Sequence, residues 1–285
     1  MTSSNPRPTL VVGARGSVGR CVLEQLLAHG LPVRASARRP EPGRFPDGVE
    51  VFAADLTDPA SLLPAFEGAG QVFLYASRKG VEGVVRTARA AGVERVVLLS
   101  SGSVIHPTSA GNLLTEGHRE VEAAFVAAGD PIVVPIRPLV LATNTLAWAY
   151  AIRDMGSLPL YQPDALTAPI HERDVAAVAC AALTGATTPA LSGMLTGPAR
   201  ISQRDQAAAI GRAVGARIPV RALSRDAALE RFSWFMPREE AEAVLRYLDD
   251  AAAGNSPATS TVQDVLGRPA TGFDQWAADH ADEFR

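Results

Sequence analysis

The apolar run Thr9-Leu10-Val11-Val12 meets Gly13-Ala14-Arg15-Gly16-Ser17-Val18-Gly19 and passes without a break into a helical pattern from Arg20 to Leu27. A buried strand that delivers a tight turn to a helix N-terminus is the opening half of a βαβ unit. Gly13 is read as supplying positive φ in the turn, Gly16 as letting a pyrophosphate approach the backbone, and Gly19 as letting the helix pack close to the strand. The N–H groups of the first helical turn then face the anion. The spacing Gly-x-x-Gly-x-x-Gly differs from the Gly-x-Gly-x-x-Gly of the common dehydrogenase fingerprint. Because a strand precedes it and a helix follows, the loop is read as a dinucleotide site, with Gly13, Arg15, Gly16, Val18 and Gly19 as binding residues.

The chain beyond it repeats the same alternation. Strand-like segments Leu31–Ala37, Val49–Ala54, Gln71–Ala76, Val96–Ser101 and Pro131–Ile136 are separated by helical patterns, which predicts an α/β fold with a Rossmann-type, doubly wound parallel sheet. With 285 residues, 47% of them hydrophobic, the chain is long enough for such a domain and a smaller lobe. Residues 1–138 are expected to form the dinucleotide-binding domain, with 139–185 contributing sheet and helix, and 186–285 a small C-terminal α+β substrate lobe. Gly254 to Ser260 reads as the loosest segment.

The end of the second strand lies beside the adenosine ribose in this architecture, and an acidic residue there accepts from the 2′-hydroxyl. Here the position carries Arg38-Arg39. Arg38, with help from Arg39 and Arg15, is placed to clamp a 2′-phosphate, so the expected cofactor is NADPH. Asp55, at the end of the third strand, is read as an adenine contact or equally as a cap, and Leu56 beside it as a further cofactor-binding residue. Ala76 and Ser77 at the end of the fourth strand and Ser100 at the end of the fifth complete the cofactor set.

A net charge of −3 leaves no electrostatic footprint for nucleic acid or anionic lipid. Two cysteines, Cys21 and Cys180, fall inside apolar helical patterns, which argues against a disulfide framework or a metal site. The first eight residues lack the apolar core of a signal peptide, and no window reaches membrane-span length. The expectation is a cytoplasmic protein, monomer or dimer, that acts on a small molecule.

Taken together, these motifs resemble the atypical short-chain dehydrogenase/reductases of the NmrA-like, NAD(P)H-binding group. The residues that carry the resemblance include the glycine loop, Val33 to Arg38, Ala54-Asp55-Leu56, Ala90 to Val93, Leu99 to Gly102, His118 with Glu122, Ile136-Arg137-Pro138 with Asn144, His171 to Ala177, Leu195 to Pro198, and Gly267-Arg268-Pro269 with Phe273 and Trp276. The resemblance implies a Rossmann-type sheet and a small lobe closing over the substrate. It implies one of two roles: reduction of ketones, quinones or enones, including tailoring of aromatic polyketide antibiotics, or reporting of redox state without catalysis.

Most of the wider superfamily uses a serine after the fifth strand and a Tyr-x-x-x-Lys pair on the next helix, where the lysine lowers the phenol pKa. This chain departs from that pattern. Its sole lysine, Lys79, makes the only such pair with Tyr75, upstream of the serines and on an extended segment. Ser101 and His118 are left as candidates for polarising a substrate oxygen, with Glu122 four residues from His118 on one helical face. A quinone or an aromatic ketone that delocalises its own developing oxyanion needs little acid from the protein. The apolar, aromatic stretches Leu139–Tyr150 and Phe232–Met236 suit such a substrate. The expected activity is therefore NADPH-dependent reduction of a hydrophobic carbonyl compound. The rivals are a non-catalytic NADP(H) sensor and a nucleotide-sugar epimerase that retains NAD.

Overall fold

The structure is a computed structural model that describes residues 7–285. Six parallel strands, β1 (Thr9–Val12), β2 (Val33–Ala37), β3 (Glu50–Ala53), β4 (Gln71–Tyr75), β5 (Arg95–Leu99) and β6 (Ile132–Pro138), lie side by side in the order β3-β2-β1-β4-β5-β6. This is a Rossmann-type order, and the direction of winding reverses between β1 and β4. On one face Leu10, Val12, Val72, Leu74, Val96 and Leu98 pack with Phe66, Val84, Ala88, Val121 and Phe125 of the flanking helices. The intervening Val11, Phe73 and Val97 point the other way and are also fully buried, which is why these strands read as unbroken apolar runs. The register places Tyr75 opposite Leu99 and Val12 opposite Ser36.

The helix Ser17–Ala28 buries Val18, Cys21, Val22 and Leu26 on one face and stops at Gly30, whose φ of 69° accommodates the left-handed C-terminal turn. Cys21 and Cys180 are both buried and form no disulfide, and burial pushes the Cys180 thiol up to about 12, far from reactive range.

The chain forms two compact units that are interleaved rather than consecutive. Among the described residues, one comprises 7–104, 117–137 and 175–193, and the other 105–116, 138–174 and 194–285. Residues 139–174, expected to complete the nucleotide domain, instead belong to the second unit because their apolar side chains are buried there. Trp148 and Ile152 pack with Ala142, Ile210, Phe273 and Trp276, and Leu158 and Leu160 pack with Ala151 and Ala207. Segment 105–116 joins the same unit through Asn112, whose amide donates to the Ala243 carbonyl at 2.9 Å. Helices Arg225–Ser233 and Arg238–Ala252 pair through Ala228, Leu229, Ala241 and Leu245.

Segment 254–260, expected to be loose, is tied down. The Asn255 carbonyl lies 2.7 Å from His106 Nε2, Ser256 Oγ lies 2.9 Å from the Tyr247 hydroxyl, and Thr259 bonds Thr196 and the Met194 carbonyl. Turn-forming composition identified irregular backbone there and said nothing of its hydrogen bonds. Among the described residues no helix is long and apolar enough to cross a membrane, and no cluster of metal-binding side chains occurs.

Candidate active site

A cavity of about 820 Å³ opens at the carboxyl ends of β1 to β4, where the winding reverses. Its lining includes Gly13, Arg15, Gly16, Arg38, Asp55, Leu56 and Ser77, drawn from four loops. Gly13 has φ of 72°, the positive value the turn requires. Gly16 caps the helix Ser17–Ala28 in extended conformation and offers no side chain, and among the described residues the Ser17 and Val18 N–H groups have no partner. Two unpartnered donors at the positive end of a helix dipole, next in sequence to Gly16 of the lining, fit a pyrophosphate.

Tyr75 is the residue whose part in this loop was missed. A Cβ on Gly16 would lie 2.4 Å from its hydroxyl oxygen, and one on Gly13 would lie 2.9 Å from its ring. The Tyr75 hydroxyl accepts from the Gly19 N–H at 2.8 Å and so serves as the helix cap that Gly16 lacks. Burial raises the phenol pKa, while the Gly19 bond works against the shift, so the hydroxyl is neutral. The freedom of Gly16 is thus spent on admitting Tyr75, a reason different from ligand approach. Gly19 behaves as expected: its Cβ would lie 2.5 Å from the Gly13 carbonyl oxygen. The Tyr75–Lys79 spacing drew attention to acid–base chemistry, whereas the ring acts as a floor beneath the glycines.

The three arginines expected at the ribose differ. Arg15 is paired with Glu41 at 2.7 Å and donates to the Arg39 carbonyl at 3.3 Å. That hydrogen bond and the arginine charge hold the Glu41 carboxyl below its ordinary range. Arg38 is exposed along the cavity and makes no hydrogen bond or ion pair among the described residues. Asp55 Oδ1 accepts from both the N–H and the hydroxyl of Thr57 at 2.9 Å, and these bonds lower its pKa. Its ionised carboxylate closes the turn after β3 and also lines the cavity. Ser77 donates to the Lys79 carbonyl at 3.1 Å.

Val18, Gly19, Ala76 and Ser100 stand outside the lining. Val18 is buried under the loop. Ser100 is buried too, and its hydroxyl donates to Glu122 Oε1 at 2.5 Å. Glu122 in turn accepts from Arg137 Nε at 3.0 Å and Nη2 at 2.5 Å, a two-pronged pair, while Arg137 Nη1 holds the Ser192 carbonyl at 2.7 Å. With its oxygens taken up in this way, Glu122 does not hydrogen-bond His118. His118 Nδ1 is buried without a partner, and burial lowers the imidazole pKa against the opposing pull of Glu122. Ser101 shares a hydrogen bond of 2.9 Å with Ser103. The sequence therefore placed His118 and Glu122 on one helix correctly but not the bond between them.

The second unit has its own cavity, about 550 Å³, lined mostly by apolar and aromatic side chains that include Trp148, Leu160, Phe232, Phe235 and Met236. Of the aromatic residues singled out in the sequence, Tyr150 and Trp234 are exposed and lie outside this lining. Tyr161, Gln203, Gln206 and Tyr247 line it as well, and nothing in their sequence context marks them because they converge from separate segments.

Residues 13–132 match the family described as NAD(P)H-binding. A (4-alkanoyl-5-oxo-2,5-dihydrofuran-3-yl)methyl phosphate reductase from Streptomyces griseus is 38% identical over 280 residues, spanning 96% of this chain and 98% of the relative. An NAD(P)H azoreductase from Xenophilus azovorans is 29% identical, with 96% and 98% covered. Among solved structures, the NADPH-dependent quinone oxidoreductase of Escherichia coli, complexed with NADPH, superposes with a TM-score of 0.77 at 23% identity, covering 95% of this chain and 99% of that one. The last likeness is one of fold.

Proposed function

The chain belongs to the NAD(P)H-binding family of atypical, NmrA-like short-chain dehydrogenase/reductases, and from that premise we propose that it uses NADPH to reduce a hydrophobic, carbonyl-bearing acceptor, a ketone or quinone. That it is an NAD(P)H-dependent oxidoreductase follows from its relatives. The observation that carries the finer reading is the unpaired Arg38 beside a glycine loop at the reversal of the sheet. In this reading the Ser17 and Val18 N–H groups answer the pyrophosphate and the Arg38 guanidinium answers the 2′-phosphate.

When bound, NADPH supplies a hydride. The apolar cavity of the second unit holds the organic acceptor away from water, which favours a positioned reaction over side reactions. Ser101 and His118 are the proposed partners of the acceptor oxygen. The lowered pKa of His118 makes it a neutral imidazole near neutral pH, able to donate a hydrogen bond rather than carry a charge. An acceptor that spreads its own negative charge fits a chain without the Tyr-x-x-x-Lys pair on the helix Leu113–Ala128. The named substrate of the Streptomyces griseus relative, an (alkanoyl-oxo-dihydrofuranyl)methyl phosphate, also bears carbonyl groups and supports this reading.

The test is incubation with NADPH and a panel of quinones, aromatic ketones and alkanoyl lactones, followed at the nicotinamide absorbance. Turnover on at least one class is expected. Tight NADPH binding with no turnover across the panel would instead leave the chain as a redox-responsive binding protein.

A further inference from the structure

We propose that the cavity of the second unit recognises an amphiphilic anion, an alkyl or aryl body ending in a phosphate or carboxylate oxyanion, with Arg231 as the residue that takes the oxyanion. The proposal rests on the reading that this cavity holds the substrate. Arg231 is the single charged residue in the lining. It is half-buried on the helix Arg225–Ser233, and its guanidinium makes no hydrogen bond or ion pair among the described residues.

The other polar side chains around it are largely satisfied within the protein. Tyr161 donates to Asp249 at 2.5 Å, Gln203 Nε2 donates to the Tyr161 and Gln162 carbonyls at 2.7 and 2.9 Å, and Gln206 Nε2 reaches Thr167 Oγ1 at 3.3 Å. Tyr247 is bonded to Ser256 at 2.9 Å. Asp249, the acid bonded to Tyr161, also accepts from Gln162 and lies 3.6 Å from Arg225, so its charge is already engaged. A guanidinium left without an anion, at a wall of leucine, phenylalanine and methionine, is partly desolvated and presents a planar fork of donors. Such a group discriminates strongly in favour of a carboxylate or phosphate, because a charge-assisted bond there competes with less water. The size is also adequate, since about 550 Å³ lies within the range of pockets for ligands with both a head and a tail.

The experiment is binding of octyl phosphate, octanoate and octanol to the full chain, read by calorimetry and by tryptophan fluorescence, since Trp148 lines the cavity. The expected result is that both anions bind at least about tenfold more tightly than the neutral alcohol. Arg231→Gln should bring all three to within about twofold, and Arg231→Lys should keep part of the preference. Equal binding of the three by the parent chain would overturn the proposal, as would a preference that survives Arg231→Gln in a variant with an unchanged melting temperature. Binding is read without turnover, so the two readings fail separately. Anion preference with no reduction of any acceptor would sink the reductase, while reduction of neutral quinones with no anion preference would sink the role of Arg231.

Discussion

The two cavities are made from different parts of the polypeptide. In the first unit the frame of the walls is a backbone turn, with Gly13 and Gly16, and the carboxyl ends of four neighbouring strands, around which Arg15, Arg38 and Asp55 are set. In the second unit the walls are side chains contributed by segments spread from Val140 to Leu248. A backbone-built site is fixed once the strand, turn and helix form, and it tolerates almost no added atom. A side-chain-built site is assembled from many contacts of which none is indispensable. The first should therefore fail in all-or-none fashion under substitution and the second by degrees.

The largest expected effect is Gly16→Ala. Its Cβ would overlap the Tyr75 hydroxyl, and overpacking of this kind costs about 1–3 kcal/mol, or up to roughly 100-fold in NADPH affinity by titration. Adding Tyr75→Phe should recover part of that loss, a non-additivity that independent sites do not show. An unchanged affinity for the single variant would break the contrast. Next comes Arg38→Ala, expected to weaken NADPH by about 2 kcal/mol, roughly 30-fold, while NADH changes little. Equal losses for both cofactors would remove Arg38 from the 2′-phosphate.

Phe232→Ala in the second cavity should raise KM for an apolar acceptor about tenfold and leave the NADPH dissociation constant unaltered, the graded response of a wall with many members. The smallest effect concerns pH. His280 Nε2 lies 2.7 Å from Glu172 Oε1, and this bond raises the His280 pKa although burial opposes it. For Glu172, burial alone would raise the pKa, but the His171 and His280 imidazoles outweigh it and hold the carboxyl far below its usual range. Because the folded-state pKa of His280 is raised, its stabilisation is complete below about pH 6.5, the unperturbed value, and is lost as pH rises through the raised value. Urea midpoints measured from pH 6 to 9 should decline for the parent chain and decline less for His280→Gln.

Legibility in the sequence follows the same division. The sheet, the glycine loop and the exposed Arg38 were readable because each depends on residues adjacent along the chain. Helix Gln203–Val214 likewise depends on adjacent residues, since Ser202 and Asp205 form a capping box and Gly215 ends it with φ of 73°. Tyr75 was legible only as a spacing, since its contact with Gly19 spans 56 residues. Glu122 was assigned to His118 by helical periodicity, yet Arg137 and Ser100, brought beside it by β5 and β6, take its oxygens. Proximity along a helix is a weak constraint once a strand delivers a better donor.

The interleaving of the two units has a consequence for engineering. The backbone crosses between them at 104/105, 116/117, 137/138, 174/175 and 193/194, so neither unit corresponds to a fragment that a single cut can release. The nucleotide module is not a cassette that recombination can graft whole onto another protein. New specificity in this scaffold has to arise by replacing side chains in place, within the lining of each cavity.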